Sequence, residues 1–76
     1  MRRPKRIDLV DTELHTWFER DRAHVALLDA RTDEALVEWW DDDVWELVED
    51  GFLEPGDWHA SAYDYAVHLG VVVPTE

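Results

Sequence analysis

The chain has no cysteine, no asparagine, no glutamine and a single lysine among its 76 residues. Without cysteine, disulfide staples and thiolate metal sites are excluded. A domain of this length sits near the lower limit of what a single core can hold together, so its stabilisation must come from aromatic packing or from a partner subunit. No apolar run approaches the roughly 20 residues that a membrane-spanning helix needs. The basic N-terminus is not followed by the apolar stretch of a secretory signal. The expected location is therefore the cytoplasm of a microbe or of a phage-infected cell. The missing amides and the near-absence of lysine fit a GC-rich genome or a salt-adapted host.

What is abundant is acid and tryptophan. Nineteen acidic residues against seven basic ones give a net charge of −12, and five tryptophans accompany two tyrosines and two phenylalanines. The net figure conceals an asymmetry. Arg2, Arg3, Lys5 and Arg6 supply four of the seven basic charges, and from Ile7 onward the net charge is −16. Between Asp29 and Asp57, twelve acids face Arg31 alone. Such a body repels phosphates and anionic membranes and attracts basic surfaces. Direct nucleic-acid binding by the folded part is not expected. The charge pattern divides the chain into a basic flexible tail over residues 1–8 and a single acidic domain over residues 9–76.

Along the chain, the segment Glu13–Arg20 mixes periods. Alternation places Leu14, Thr16 and Phe18 on one side of a strand, with His15 and Trp17 on the other. A helix capped by Asp11 is the alternative, and its aromatic content favours the strand. His24–Ala30 and Glu34–Trp40 read as two further strands around an Arg31-Thr32-Asp33 turn. In the second of these, Glu38 marks the wetter side, so Val37 and Trp39 point to the core and Trp40 points away. A turn at Asp21-Arg22 then gives a three-stranded antiparallel meander.

The period changes after Trp40. Asp41-Asp42-Asp43 offers an N-cap and favourable negative charge at a helix start. Val44, Leu47 and Val48 recur at helical spacing, and Gly51 stands at the position of a helix-ending left-handed residue, with Phe52 packing back across it. Glu54-Pro55-Gly56-Asp57 is a turn. A second helix follows, capped by Asp57 or Ser61, with Trp58, Ala62, Tyr65, Ala66 and Leu69 on its apolar stripe and Gly70 at its end. Val71–Val73 is an apolar stretch that should dock on the core or on a partner. The expected class is α+β, a small three-stranded antiparallel meander followed by two helices packed on one face.

No catalytic, cofactor or metal signature emerges. His15, His24, His59 and His68 lack paired i,i+4 spacing, although His15 and His24 can face each other across a hairpin. Asp57 and His59 have no nucleophile beside them. The Asp41–Asp43 run lacks the alternating oxygens and central glycine of a calcium loop. The helix-turn-helix outline of Asp42–Leu69 lacks the Arg, Lys, Asn or Gln with which a recognition helix reads DNA.

The acid run can solvate a face, or it can offer carboxylates to a basic groove in the manner of phosphates. Glu46 with Glu49, and Glu46 with Asp50, set like charges on one helix face at a cost of about a few tenths of a kcal/mol per pair. Tryptophan is enriched at binding hot spots, and five rings exceed what a small sheet and two helices can bury. In size and charge the chain is similar to the small acidic inhibitors encoded by phages and other mobile elements, anti-CRISPR proteins among them, although no shared motif carries the likeness. The leading expectation is a non-enzymatic module that binds a basic, nucleic-acid-binding surface of a host protein. Its partner-binding surface would comprise Glu34, Glu38, Trp40, Asp41, Asp42, Asp43, Trp45, Glu46, Glu49 and Asp50. The alternative is a small assembly protein acting through homodimerisation, acidic for solubility or salt adaptation.

Overall fold

The computed structural model describes residues 3–75. The chain is a mixed α+β fold. Its strands are β1 (Lys5–Arg6), β2 (Thr12–Glu19), β3 (Arg22–Asp29), β4 (Ala35–Trp40) and β5 (Val72–Val73), and its helices are α1 (Asp42–Glu49) and α2 (Trp58–His68). Single 3-10 turns precede β2 and α2. β2, β3 and β4 form the antiparallel meander in that order, so Glu13–Glu19 is strand and not helix. The first hairpin turns at Arg20-Asp21, with Arg20 at φ +53°, one residue earlier than expected. This register pairs His24 with Trp17 and His15 with Ala26, so the two histidines do not oppose each other.

Alternation along the strands sorts the side chains. Ala23, Val25 and Trp39 are buried together with Val44 of α1, Leu53 and Ala62 of α2. A second cluster joins Leu27 to Ile7, Tyr63, Ala66 and Val72. Near Leu27 the β3–β4 register shifts by one, with Leu28 opposite Ala35 and Leu27 opposite Val37. The extra residue is Leu36, and such a bulge lets Leu36 and Val37 both pack against the second cluster. Trp39 is 8% exposed and its neighbour Trp40 is 51% exposed, as alternation requires.

The helix ends follow from their glycines. Gly51 has φ +84°; its N–H donates to Val48 and the Phe52 N–H to Leu47, which is a Schellman motif. Gly70 at φ +78° repeats the arrangement, with Gly70 and Val71 donating to Val67 and Ala66. The helices start at the expected N-cap residues, Asp41 and Asp57, but neither side chain makes a capping bond. Asp41 Oδ1 instead accepts the Ala23 N–H at 2.9 Å, while the Asp41 N–H donates to the Ala23 carbonyl at 2.7 Å. This exchange holds Asp41 at φ +46°, a conformation that costs a non-glycine residue energy unless its surroundings impose it. Ser61 does not start α2; its hydroxyl donates to the Asp57 carbonyl at 2.7 Å and accepts the Glu54 N–H at 3.0 Å, joining the helix to the turn before it.

Two further expectations are corrected. The ring of Phe52, whose N–H is bonded to Leu47 of α1, packs on Tyr65 of α2 at 4.6 Å, and Leu69, expected on the apolar stripe, is exposed. The buried aromatic of α2 is Tyr63, whose Oη donates to the Ile7 carbonyl at 2.7 Å. The N-terminal segment is also not a free tail from Lys5 to Asp8. β1 runs parallel to β5, pairing Lys5 with Val72 and Arg6 with Val73, and Ile7 is buried. Lys5 Nζ lies 2.7 Å from Asp29 Oδ2, and Asp29 Oδ1 accepts the Arg31 N–H at 2.8 Å. The Lys5 ammonium first, and then the Arg31 N–H, hold the Asp29 carboxyl below the ordinary aspartate range. Met1, Arg2 and Glu76 lie outside the described residues.

Candidate functional site

Nine of the ten residues expected to form one partner-binding surface fall into three places, and Asp41 stands apart at the corner between β4 and α1. Glu34 lies in the β3–β4 loop, at the end of β4 away from α1, with a carboxylate oxygen 4.0 Å from Lys5 Nζ. It does not join the others. Asp41 is committed to Ala23, and its Oδ1 is 3.8 Å from Arg22 Nε. Neither is a free carboxylate at the junction of β4 and α1.

The second place is the outer surface of α1. Asp42, Asp43, Glu46, Glu49 and Asp50 are all exposed. Helical spacing sets them on one continuous face opposite the Val44-Leu47-Val48 core stripe, as two adjacent stripes. Asp43, Glu46 and Asp50 share one stripe. They rim a groove of about 240 Å³ whose floor is Trp39, Leu47 and Tyr65. A neighbouring recess of similar size lies beyond Tyr65, lined by Phe52 and His68 with the acids Glu54 and Asp64. Phe52, Tyr65 and His68 stack along this line, with Phe52–His68 centroids 5.8 Å apart and Tyr65–His68 centroids 6.0 Å apart. The other stripe carries Asp42 and Glu49 around Trp45, which is 40% exposed and rests on Phe18 at 5.8 Å.

The third place is the sheet surface opposite in parity to Val25 and Trp39. The register sets Trp17, His24 and Trp40 in one row across β2, β3 and β4. His15, Ala26 and Glu38 make the next row. The His24 ring stacks on Trp40 with centroids 3.7 Å apart and 16° between planes. Its Nε2 also lies 2.9 Å from Glu38 Oε2. Glu38 and Trp40 thus belong to a surface distinct from the α1 stripes. Trp17 and His24 were not among the expected site residues, because only the strand register shows that they continue the Trp40 row. Tyr65 and Phe52 were missed because their place beside the α1 acids depends on how α2 lies against α1.

Thr12 and His59 are engaged with each other. Thr12 Oγ1 donates to the Leu9 carbonyl at 2.7 Å, so its 2.8 Å contact with His59 Nε2 requires the imidazole to donate from that nitrogen. Among the described residues, no hydrogen bond or ion pair joins His59 to Asp57. Among the described residues, no three His, Asp or Glu side chains converge as a metal site. The larger recesses lie near β1 and β5. One of about 450 Å³ is lined by Lys5, Arg6, Asp11, Asp29 and Arg31, and its lysine is already paired with Asp29. Among the described residues, no helix is long and apolar enough to cross a membrane. No family model matches this chain, and neither the curated proteins nor the solved structures contain a significant match to it.

Proposed function

We propose that this chain is a non-enzymatic, acidic protein-binding module that sets the outer surface of α1 on a basic, nucleic-acid-binding surface of another protein. In that role it would act as a mobile-element inhibitor of the DNA-mimic or anti-CRISPR-like type. The reading takes α1 and α2 as one layer over the Val25–Trp39 side of the sheet, with the α1 carboxylates outermost. One observation carries it. Asp42, Asp43, Glu46, Glu49 and Asp50 are exposed, and among the described residues none of them makes an ion pair. Unneutralised like charges one turn apart oppose the helix that bears them. The same charges accelerate encounter with a basic surface and suppress binding to nucleic acid. The groove beside these acids adds the partly exposed ring of Tyr65, on which a lysine or arginine side chain gains cation–π attraction.

The test is retention of proteins from a host lysate at low and at high salt, with the wild-type chain and with Asp43→Asn/Glu46→Gln/Asp50→Asn. The expected result is a basic nucleic-acid-binding protein held at low salt, released at high salt and lost with the triple variant. Added DNA should compete for it. Capture of no basic protein at low salt overturns the proposal.

A second reading, self-association, is favoured by the exposed Trp17 and Trp40 on one sheet surface. Sedimentation separates the two. A tight dimer insensitive to salt supports assembly over electrostatic capture.

A further inference from the structure

We infer that the sheet surface bearing the Trp17–His24–Trp40 row is a second docking surface, and that its occupant is an extended, arginine-bearing segment of a protein partner. The inference shares with the proposed function only the sign of the partner's charge; its residues lie on β2–β4 and not on α1.

The row is an aromatic platform left open. Trp17 is 46% and Trp40 51% exposed, although each stands in a strand of the meander. Trp40 is held in place by the His24 ring stacked on it, and His24 in turn holds one oxygen of Glu38 at 2.9 Å. An indole fixed in orientation beside a carboxylate with a free second oxygen suits a guanidinium. Its plane stacks on the ring while its fork of N–H donors reaches the carboxylate. Lysine lacks that planar fork. Glu13 and Glu19 add exposed acids of the same strand parity, and Arg22 at the end of β3 is drawn toward Asp41.

Charge decides between occupants. Single-stranded nucleic acid stacks its bases on such rows, but only where a basic groove tracks the phosphates; here Glu13, Glu19 and Glu38 outnumber Arg22, the arginine of the same face. A second copy brings another net charge of −12 against the same acids. A cationic segment meets neither obstacle. The spacing also fits one. Trp17 and Trp40 stand two strands apart, about 10 Å at the backbone. A polyproline II segment crossing the strands presents every third side chain on one side at intervals of about 9 Å.

The test titrates the full chain with a peptide of arginines separated by two prolines, its lysine analogue and a single-stranded oligonucleotide, following the five indole N–H resonances. The arginine peptide should shift the Trp17 and Trp40 resonances and leave that of buried Trp39 in place. Its affinity should fall about five-fold or more in Trp17→Ala, in Trp40→Ala and in Glu38→Gln, and for the lysine analogue. Asp43→Asn/Glu46→Gln/Asp50→Asn should retain the Trp17 and Trp40 shifts. Unchanged affinity in Trp40→Ala and Glu38→Gln, equal binding of lysine, stronger binding of the oligonucleotide, or concentration-dependent shifts of Trp17 and Trp40 without peptide each overturn the inference. Loss of lysate capture by the α1 triple variant with the peptide shifts intact separates the two surfaces.

Discussion

Asp41 illustrates how a single residue departs from its apparent role. In the sequence it opens an acidic run and looks like a helix cap. In the fold its N–H and its carboxylate both bond to Ala23, while its carbonyl accepts the first helical N–H groups, and it holds a positive φ at the corner between β4 and α1. Asp41→Ala leaves the Ala23 N–H without its acceptor and keeps the strained backbone. The expected loss is about 1–3 kcal/mol in urea denaturation, with Asp41→Asn recovering most of it. Tyr63 is the buried counterpart. Its hydroxyl donates to the Ile7 carbonyl, and burial, reinforced by Asp8 and Asp64, raises its pKa. A raised tyrosine favours the neutral form in the fold, so its contribution to stability is complete below about pH 10, its unfolded value, and is lost as pH rises through the folded value. Tyr63→Phe should lower stability at neutral pH and weaken the alkaline decline, as read by circular dichroism across pH 7–12. Asp29 behaves oppositely. Its lowered pKa, due to Lys5 and the Arg31 N–H, gives stability present above the unfolded aspartate value and lost as pH falls through the folded one. Acid unfolding of Asp29→Asn should therefore be less steep below about pH 4 than that of the wild type.

At the scale of elements, the meander and both helices were legible because their signals are local. Alternation in Ala35–Trp40, the Val44-Leu47-Val48 stripe and the two helix-ending glycines each depend on neighbours a few residues away. Gly51→Ala places a side chain at φ +84°, and nothing crowds the added carbon. Its cost is then conformational, about 1–2 kcal/mol, a fall in melting temperature that a thermal scan will resolve. The short elements were not legible. β1 and β5 contribute two residues each and join chain segments more than 60 positions apart. Nothing within Lys5–Arg6 announces a strand; its order comes from Val72, Tyr63 and Asp29. The basic composition that suggested a free tail was in fact partly engaged with the acidic body.

For the whole molecule, charge is the dominant quantity. A net of −12 on 76 residues, with the α1 acids unpaired among the described residues, makes self-repulsion a standing cost of the compact state. Raising salt from about 0.02 M to 0.5 M shortens the Debye length from roughly 20 Å to under 5 Å. The melting temperature should rise, by about 4–8 °C if roughly 1 kcal/mol of repulsion is relieved. A fall would mean that the surface ion pairs of Lys5, Arg22 and the histidines outweigh the repulsion.

The sequence alone determined the sign and concentration of charge, the absence of cysteine chemistry, the three strands, the two helices and the opposite fates of Trp39 and Trp40. These follow from composition and from periods of two and 3.6 residues, which act over short stretches of chain. Tertiary structure alone decided which acids stand together. Glu34 was separated from α1, Asp41 was drawn into the backbone, and Glu38 and Trp40 were assigned to a row with Trp17 and His24. That grouping depends on strand register and on how helices lie against a sheet. Both are set by contacts between residues far apart in the chain, whose closure no local pattern encodes.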